Sequence, residues 1–163
     1  MKLPKLILTD IDGVWTDGGM YYDKTGNEFK KFNTSDSAGV LFSKAYNIPV
    51  GIITGENTEM VQRRAEKLGI TILHQGIHNK LPVAKRICEE LHISLKEVAY
   101  IGDDIGDIEV LQQAGISAAP NNAPEYIKKQ VDFVTQKSGG EGAFREFVEH
   151  ILGEERILQY LGV

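Results

Sequence analysis

The sequence has little of several features that would identify other classes of protein. Cys88 is the only cysteine among 163 residues, so no disulfide can form within the chain and a reducing compartment is expected. The net charge is −5 and no basic cluster is present, which argues against nucleic acid as a main partner. The four histidines are scattered, without the spacing of metal ligands. No low-complexity tract indicates disorder or a fibrous repeat.

Hydrophobic residues nevertheless make up 42% of the chain and charged residues 25%, as in a globular protein. A chain of this length can bury roughly 70% of its unfolded surface, and no linker or change in composition divides it. We therefore expect a single domain over residues 1–163. The chain reaches Asp10 too soon to leave room for a signal peptide or a membrane span, so we expect a cytoplasmic protein with no membrane partner.

Short apolar runs rich in isoleucine and valine alternate with segments of helical period. This alternation predicts an α/β fold, a doubly wound, Rossmann-like parallel sheet with helices on both faces. Asn57 or Thr58 can cap a helix that ends at Gly69, and Pro82 and Pro124 suit the first turns of two others. The expected strands are 6–9, 50–54, 71–74, 98–102, 116–119 and 131–134.

Two segments depart from the alternation. Residues 18–32, "GGMYYDKTGNEFKKF", place apolar and aromatic residues on either side of a turn-rich stretch, which predicts a β-hairpin protruding from the end of the first strand. The last residues, "EERILQYLGV", have the period of a short amphipathic helix with Ile157, Leu158 and Leu161 on one side. We expect that helix to pack on this chain or on a neighbour.

Acidic residues follow the ends of the predicted strands. Asp10 and Asp12 come after the first strand, and "YIGDDIGD" sets Asp103, Asp104 and Asp107 after another. Ligands in open α/β sheets bind outside the carboxyl ends of the strands. Carboxylates gathered there repel one another, and a hard divalent cation with oxygen ligands stabilises them most simply. The pattern therefore predicts a Mg²⁺ site.

Other residue types at the same edge suit a phosphate group. Lys80 lies at a predicted loop-to-helix junction, Thr54 supplies a hydroxyl, and Gly55 lets backbone N–H groups approach an anion. A metal-bound carboxylate facing a phosphorus atom can attack it in line, and a second acid two residues later can protonate the leaving oxygen.

Four short stretches resemble the motifs of the haloacid dehalogenase superfamily of phosphatases. They occur in the family's order: "DIDG" at 10–13, Thr54 in "IITGE", Lys80, and "GDDIGD" at 102–107. The resemblance implies that Asp10 is the nucleophile and Asp12 the general acid. It implies that Mg²⁺ is held by the side chains of Asp10 and Asp103 and by the carbonyl of Asp12. It also implies that Thr54 and Lys80 bind the phosphoryl oxygens. Asp104 and Asp107 would then orient Lys80 and metal-bound water.

The segments between these motifs are too short for the cap domain that many members carry. The whole chain resembles a capless subgroup that contains 3-deoxy-octulosonate 8-phosphate phosphatases and relatives acting on nine-carbon keto acids. In that subgroup four chains associate, and the hairpin and C-terminal segment of one chain help to cover the site of its neighbour. The resemblance therefore implies a homotetramer.

The substrate prediction depends on one departure from that subgroup. Octulosonate phosphatases typically have an arginine after the threonine-glycine pair, where this chain has Glu56. The combination of Glu56 with Arg64 and Lys67 resembles the residues of the enzyme that acts on 2-keto-3-deoxynononate 9-phosphate, a sialic-acid-type sugar. Arg64 and Lys67 share a helix flank, so Arg64 can bind the sugar carboxylate while Glu56 accepts hydroxyl protons and pairs with Lys67. Five residues at the start of the next helix are further candidates for contact with the sugar: Asn33, Thr34, Ser35, Asp36 and Ser37. Thr34, Ser35 and Asp36 can also cap that helix, and capping is compatible with sugar contact.

We therefore predict a Mg²⁺-dependent phosphatase that removes the terminal phosphate from a 2-keto-3-deoxy sugar acid through an aspartyl phosphate. The nine-carbon nononate is favoured, and 3-deoxy-octulosonate 8-phosphate and N-acetylneuraminate 9-phosphate are the alternatives. Two hypotheses from other functional classes stay open: a receiver-type signalling module and a catalytically silent oligomerisation module. A receiver places an acidic pair first and its phospho-acceptor on a later strand, whereas here the acceptor, Asp10, comes first.

Overall fold

A computed structural model describes residues 2–163. Eight strands and seven helices follow one another along it, together with two single 3₁₀ turns at Leu95–Glu97 and Ile105–Asp107. Their bounds are β1 Leu6–Thr9, β2 Tyr21–Tyr22, β3 Glu28–Phe29, α1 Asp36–Ala45, β4 Val50–Ile53, α2 Glu59–Leu68, β5 Ile72–His74, α3 Lys80–Glu90, β6 Val98–Ile101, α4 Ile108–Gln113, β7 Ile116–Ala119, α5 Glu125–Lys128, β8 Phe133–Val134, α6 Ala143–Leu152 and α7 Glu154–Leu161.

Six strands form one parallel sheet in the order β5-β4-β1-β6-β7-β8. β1 and β6 are neighbours, with Thr9 opposite Ile101, so the residues after both strands meet at one edge. After β1 the chain first adds β4 and β5 on one side of that strand, and it later adds β6, β7 and β8 on the other side. The doubly wound parallel sheet predicted from the sequence is confirmed.

Each face of the sheet has its own hydrophobic core. On one face Ile7 and Ile52 of the sheet pack with buried residues of α1, α2 and α6, among them Phe144, whose ring stacks on Trp15 at 4.4 Å. On the other face Leu6 and Leu8 pack against α3, α4 and α5. Alternate residues of β1 thus face opposite cores, and all four are buried, as expected of a central strand.

The residues predicted to begin and end α2 do so in the structure. The Thr58 side chain accepts a hydrogen bond from the Val61 amide at 3.3 Å, and Gly69 ends the helix in the left-handed conformation. Ser94 and Glu97 also form a capping box around the single 3₁₀ turn at Leu95–Glu97.

The hairpin projects from the end of β1. β2 and β3 are antiparallel, and their four residues are all exposed; a bridge between Thr16 and Phe32 closes its base. Only the hairpin and α1 lie between Gly13 and β4, and only α2 and β5 separate Thr54 from Lys80. The structure therefore has no cap domain among residues 2–163.

The C-terminal helix α7 packs on its own chain through part of its apolar side. Ile157 contacts the core, the Tyr160 ring meets the edge of Phe42 at 5.5 Å, and the Tyr46 hydroxyl donates to the Arg156 carbonyl. Leu158 and Leu161, which the sequence placed beside Ile157, are exposed. Within residues 2–163, no helix is both long and apolar enough to cross a bilayer.

Candidate active site

The carboxyl ends of the central strands form an acidic cleft of about 720 Å³. Asp10 follows β1 directly and Asp103 follows β6, and their carboxylate oxygens lie within 4.8 Å of each other and of Asp107. The other sequence-predicted residues that line this cleft are Asp12, Thr54, Gly55, Glu56, Lys80 and Asp104. Adjacent parallel strands bring together groups that are far apart in the chain.

Lys80, the first residue of α3, lies at the floor of the cleft. Its ammonium is 2.9 Å from Asp10 Oδ1 and 2.7 Å from Asp107 Oδ1, and its side chain is 6% exposed. Burial by itself would lower the pKa of Lys80, but the charges of Asp10 and Asp107 outweigh burial and raise it. Lys80 is therefore a fixed cation at neutral pH.

Asp107 is fully buried and uses both carboxylate oxygens within the protein. Oδ1 accepts hydrogen bonds from Lys80 and from the Tyr100 hydroxyl, and Oδ2 accepts from the backbone amides of Asp103 at 3.0 Å and Asp104 at 3.1 Å. Because these four donors occupy its lone pairs, Asp107 orients Lys80 and the loop after β6.

Asp103 and Asp10 keep acceptor capacity free. Asp103 Oδ1 is buried and has no hydrogen-bond partner within residues 2–163. Burial, followed by the charges of Asp10, Asp107 and Asp104, raises the pKa of Asp103 to about 8. Burial and Asp107 raise the pKa of Asp10 to about 6 against the opposing effect of Lys80. An unpartnered buried oxygen among repelling carboxylates suits a hard cation with oxygen ligands.

A turn at Gly13 directs Asp12 away from the floor of the cleft. Gly13 has φ +83°, and a Cβ there would lie 2.0 Å from Asp103 Oδ2, so only glycine fits. The Gly13 carbonyl accepts from the Asn122 amide at 3.0 Å, which fixes the turn. Asp12 itself is 32% exposed, and its Oδ1 accepts from Lys30 Nζ at 2.6 Å and from Thr16 Oγ1 at 3.3 Å.

Thr54 follows β4 on the other side of β1. Its Oγ1 is buried and has no hydrogen-bond partner within residues 2–163, although it lines the cleft. A buried hydroxyl without a partner costs free energy. Thr54 can therefore serve a ligand oxygen in the cleft.

Glu56 lines the cleft, but its ion pair differs from the one expected. Its Oε2 is 2.5 Å from Lys30 Nζ, whereas Lys67 is exposed on α2 and makes no ion pair within residues 2–163. The expected pairing of Glu56 with Lys67 is wrong because Glu56 precedes α2 in a loop that faces the hairpin.

Arg64 and the segment before α1 contact each other outside the cleft. Arg64 donates to the Asn33 carbonyl at 3.3 Å and to Ser37 Oγ at 3.0 Å, and its guanidinium lies 5.9 Å from the Phe32 ring centre. Of the predicted substrate-binding residues, only Glu56 lines the cleft. The others do not: Asn33, Thr34, Ser35, Asp36, Ser37, Arg64 and Lys67.

That segment holds the start of α1 without the expected side-chain cap from Thr34, Ser35 or Asp36. Ser35 occupies the cap position but makes no side-chain cap bond, and the Ser35 amide donates instead to Asn33 Oδ1 at 2.9 Å. Asp36 is fully buried and accepts from the Arg145 amide at 3.0 Å. Burial raises the pKa of Asp36 to about 6, despite the Arg145 hydrogen bond and the nearby charges of Arg64, Lys137 and Arg145.

Three residues of the cleft region were not found from the sequence. Lys30 joins Asp12 to Glu56, Tyr100 supports Asp107, and Asn122 holds the turn at Gly13. Lys30 contacts Asp12 and Glu56 from the end of the hairpin, Asn122 contacts Gly13 from the loop after β7, and Tyr100 is one of several apolar or aromatic residues in β6. No local sequence pattern distinguishes them.

Known proteins resemble this chain in sequence. The model of the haloacid dehalogenase-like hydrolases matches residues 63–146. The 3-deoxy-D-manno-octulosonate 8-phosphate phosphatase of Escherichia coli strain K12 is 39% identical over 148 residues, which are 91% of this chain and 79% of that protein. The enzyme of the same description from Yersinia pestis is 38% identical over 148 residues.

Solved structures resemble the whole fold. The 3-deoxy-D-manno-octulosonate 8-phosphate phosphatase of Moraxella catarrhalis, in complex with magnesium, phosphate and KDO, superposes with a TM-score of 0.93 at 36% identity, covering 98% of this chain and 92% of that one. The cobalt-bound enzyme of Haemophilus influenzae gives a TM-score of 0.86 at 35% identity, with 91% and 87% covered. The similarity thus includes both cores and the strands that carry the cleft.

Proposed function

Because this chain belongs to the haloacid dehalogenase-like hydrolases and is a phosphatase, we propose that it hydrolyses 3-deoxy-D-manno-octulosonate 8-phosphate. The relatives that resemble it over most of their length carry that activity in their names. The observation that supports the proposal is the acidic cleft, in which Asp10, Asp103 and Lys80 meet at the ends of β1, β6 and the start of α3. The preference for the nine-carbon nononate gains no support from the comparisons.

The cleft suits Mg²⁺, which the Moraxella catarrhalis enzyme binds. We propose that the carboxylates of Asp10 and Asp103 and the carbonyl of Asp12 hold the ion. When bound, it supplies positive charge that offsets these carboxylates and the charge of the phosphate. The unpartnered Asp103 oxygen and the raised pKa values of Asp10 and Asp103 support this assignment.

The side chains can divide the chemistry between them. A carboxylate oxygen of Asp10 attacks the phosphorus, a bond forms between them, and the ester bond to the sugar oxygen breaks. Asp12 donates its proton to that leaving oxygen, so the sugar departs as an alcohol. Asp12 then accepts a proton from a water molecule that attacks the phosphorus of the aspartyl phosphate, which releases phosphate and regenerates Asp10.

We propose that Lys80 and Thr54 bind the transferring phosphoryl group. Lys80 is a buried cation beside Asp10, and Thr54 offers an unpartnered hydroxyl on the opposite side of β1. Charge-assisted hydrogen bonds of this kind stabilise the negative charge of the transferring group. Asp107 holds Lys80 in position through its own hydrogen bond.

The nine-carbon 2-keto-3-deoxynononate 9-phosphate is the second candidate. It is favoured by Glu56, which lies in the cleft where octulosonate phosphatases typically carry an arginine, and which presents a carboxylate that can accept sugar hydroxyl protons. The same reasoning extends to N-acetylneuraminate 9-phosphate, and with it to a role in sialic-acid-type sugar biosynthesis.

Steady-state kinetics with Mg²⁺ tests these candidates directly. Phosphate release is measured with the three sugar acid phosphates as substrates, and kcat/KM is compared in the wild type and in Glu56→Arg. We expect the wild type to prefer the octulosonate phosphate. A wild-type preference for the nine-carbon substrate that Glu56→Arg reverses would overturn this choice in favour of the second candidate. The absence of turnover with all three substrates would contradict the sugar acid assignment.

We also propose that residues 1–163 act as one cytoplasmic domain within a homotetramer. The support is the open cleft, which has no cap domain over it within residues 2–163, and the exposed apolar side chains of the hairpin at Met20, Tyr21, Tyr22 and Phe29. Sedimentation equilibrium is expected to give four times the mass of one chain. An active monomer would contradict this proposal.

A further inference from the structure

Lys30 connects the hairpin to the acidic side chain that the mechanism uses as its proton donor. Its ammonium lies 2.6 Å from Asp12 Oδ1 and 2.5 Å from Glu56 Oε2, and its side chain is only 10% exposed. Asp12 and Glu56 are 18 and 26 residues away in the chain. Lys30 follows β3 directly, so its position depends on the hairpin.

The contact with Lys30 distinguishes the two oxygens of Asp12. Oδ1 accepts from Lys30 at 2.6 Å and from Thr16 at 3.3 Å. Oδ2 accepts no hydrogen bond from any of residues 2–163. A proton on Oδ1 would face an ammonium, whereas a proton on Oδ2 can be passed to a substrate oxygen. The geometry therefore makes Oδ2 the oxygen that carries the transferred proton.

Lys30 also separates two carboxylates. Asp12 and Glu56 both approach the same nitrogen atom, so without its charge they would repel each other across a short gap. Asp12 has no other cationic partner within residues 2–163, and Thr16 alone would hold it through a long hydrogen bond. Removal of the ammonium should therefore let Asp12 rotate away from the leaving oxygen.

We propose that Lys30 is a positioning residue that holds Asp12 Oδ1 so that Oδ2 can protonate the leaving group. The inference rests on the proposed role of Asp12 as general acid. It has one distinctive consequence: a substrate whose leaving group departs without a proton should not need Lys30. An alkyl phosphate, such as a sugar phosphate, needs that proton, and a nitrophenyl phosphate does not.

The test compares Lys30→Met with the wild type on both kinds of substrate in the presence of Mg²⁺. The measured quantity is kcat/KM, because it reports the steps up to departure of the leaving group. With the sugar acid phosphate we expect a loss of about 10- to 100-fold, part of what general acid catalysis contributes. With nitrophenyl phosphate we expect a change of less than about threefold, because no proton transfer is required.

Two further variants sharpen the test. Lys30→Arg keeps the charge and the donors, so it should recover most of the activity on the sugar phosphate, to within about fivefold of the wild type. Lys31→Met removes the neighbouring exposed lysine and should leave the ratio of the kcat/KM values for the two substrates unchanged.

The outcomes separate this inference from the proposed function. An equal loss of kcat/KM on both substrates in Lys30→Met would overturn the inference, because a distorted cleft does not discriminate between leaving groups. Unchanged kcat/KM on both would overturn it as well. Failure of the wild type to hydrolyse any of the sugar acid phosphates would instead contradict the proposed substrate, and a graded series of aryl phosphates would then carry the test of Lys30.

Discussion

Binding of Mg²⁺ to the metal-free protein should release protons. The pKa of Asp103 is raised to about 8 and that of Asp10 to about 6, so near pH 7 the two carboxyl groups share about one proton. A metal ligand must be deprotonated. We therefore expect about one proton to be released for each ion bound near pH 7, and an affinity that falls about tenfold per pH unit from pH 8 to pH 6, about 100-fold in all.

Isothermal titration calorimetry can measure this release. The apparent binding enthalpy is compared between two buffers of different ionisation enthalpy at the same pH, and the slope gives the number of protons. Glu109→Gln removes an exposed carboxylate from α4 and serves as a matched control that should release the same number. An affinity that is constant from pH 6 to pH 8, with no proton release, would refute the reasoning that burial and mutual repulsion create this site.

Three further variants test the cleft and its surroundings. Lys80→Met leaves two buried carboxylates without their cation and should lower the free energy of unfolding of the metal-free protein by about 3 kcal/mol; in denaturant titrations, Mg²⁺ should recover part of that loss. Gly13→Ala forces a Cβ against Asp103 and should lower kcat/KM by about 100-fold, whereas an unchanged value would show that the turn can move freely. Asp36 binds a proton more tightly when folded, since its pKa is about 6 against an ordinary value of 3.8 for an aspartate, so its contribution to wild-type stability rises as pH falls from about 7 to about 4. Asp36→Asn should therefore be the more stable protein at pH 8, by about 2 to 3 kcal/mol, with the difference vanishing near pH 4, and parallel stability curves would contradict this.

The fold was predictable because its determinants are local. The apolar runs of β1, β4 and β6 are buried on both faces. Thr58 begins α2 through its side-chain oxygen, and Gly69 ends it because glycine readily adopts the left-handed conformation. The meeting of Asp10 with Asp103 followed from the rule that parallel strands end at one edge.

The less predictable contacts join elements whose relative placement no local pattern encodes. Lys30 reaches Asp12 only because the hairpin folds back over the end of β1, and Arg64 turns toward the start of α1 because Phe32 and Ser37 lie beside α2 there. A helical period gives the flank on which Arg64 lies, but it does not say which neighbour that flank meets. For that reason the sequence predicts an ion pair between Glu56 and Lys67, whereas Glu56 pairs with Lys30 in the structure.

Asp10 is proposed to carry the phosphoryl group during turnover. This role is tested most directly by acid quenching of the Asp12→Asn variant during reaction with nitrophenyl phosphate, followed by mass spectrometry of its peptides. This leaving group departs without a proton, so the intermediate can still form, whereas loss of the base should slow its hydrolysis. We predict a phosphate adduct on Asp10 in this variant and no adduct in the double variant that also carries Asp10→Asn. An adduct on another residue, or turnover that persists in Asp10→Asn, would contradict the account.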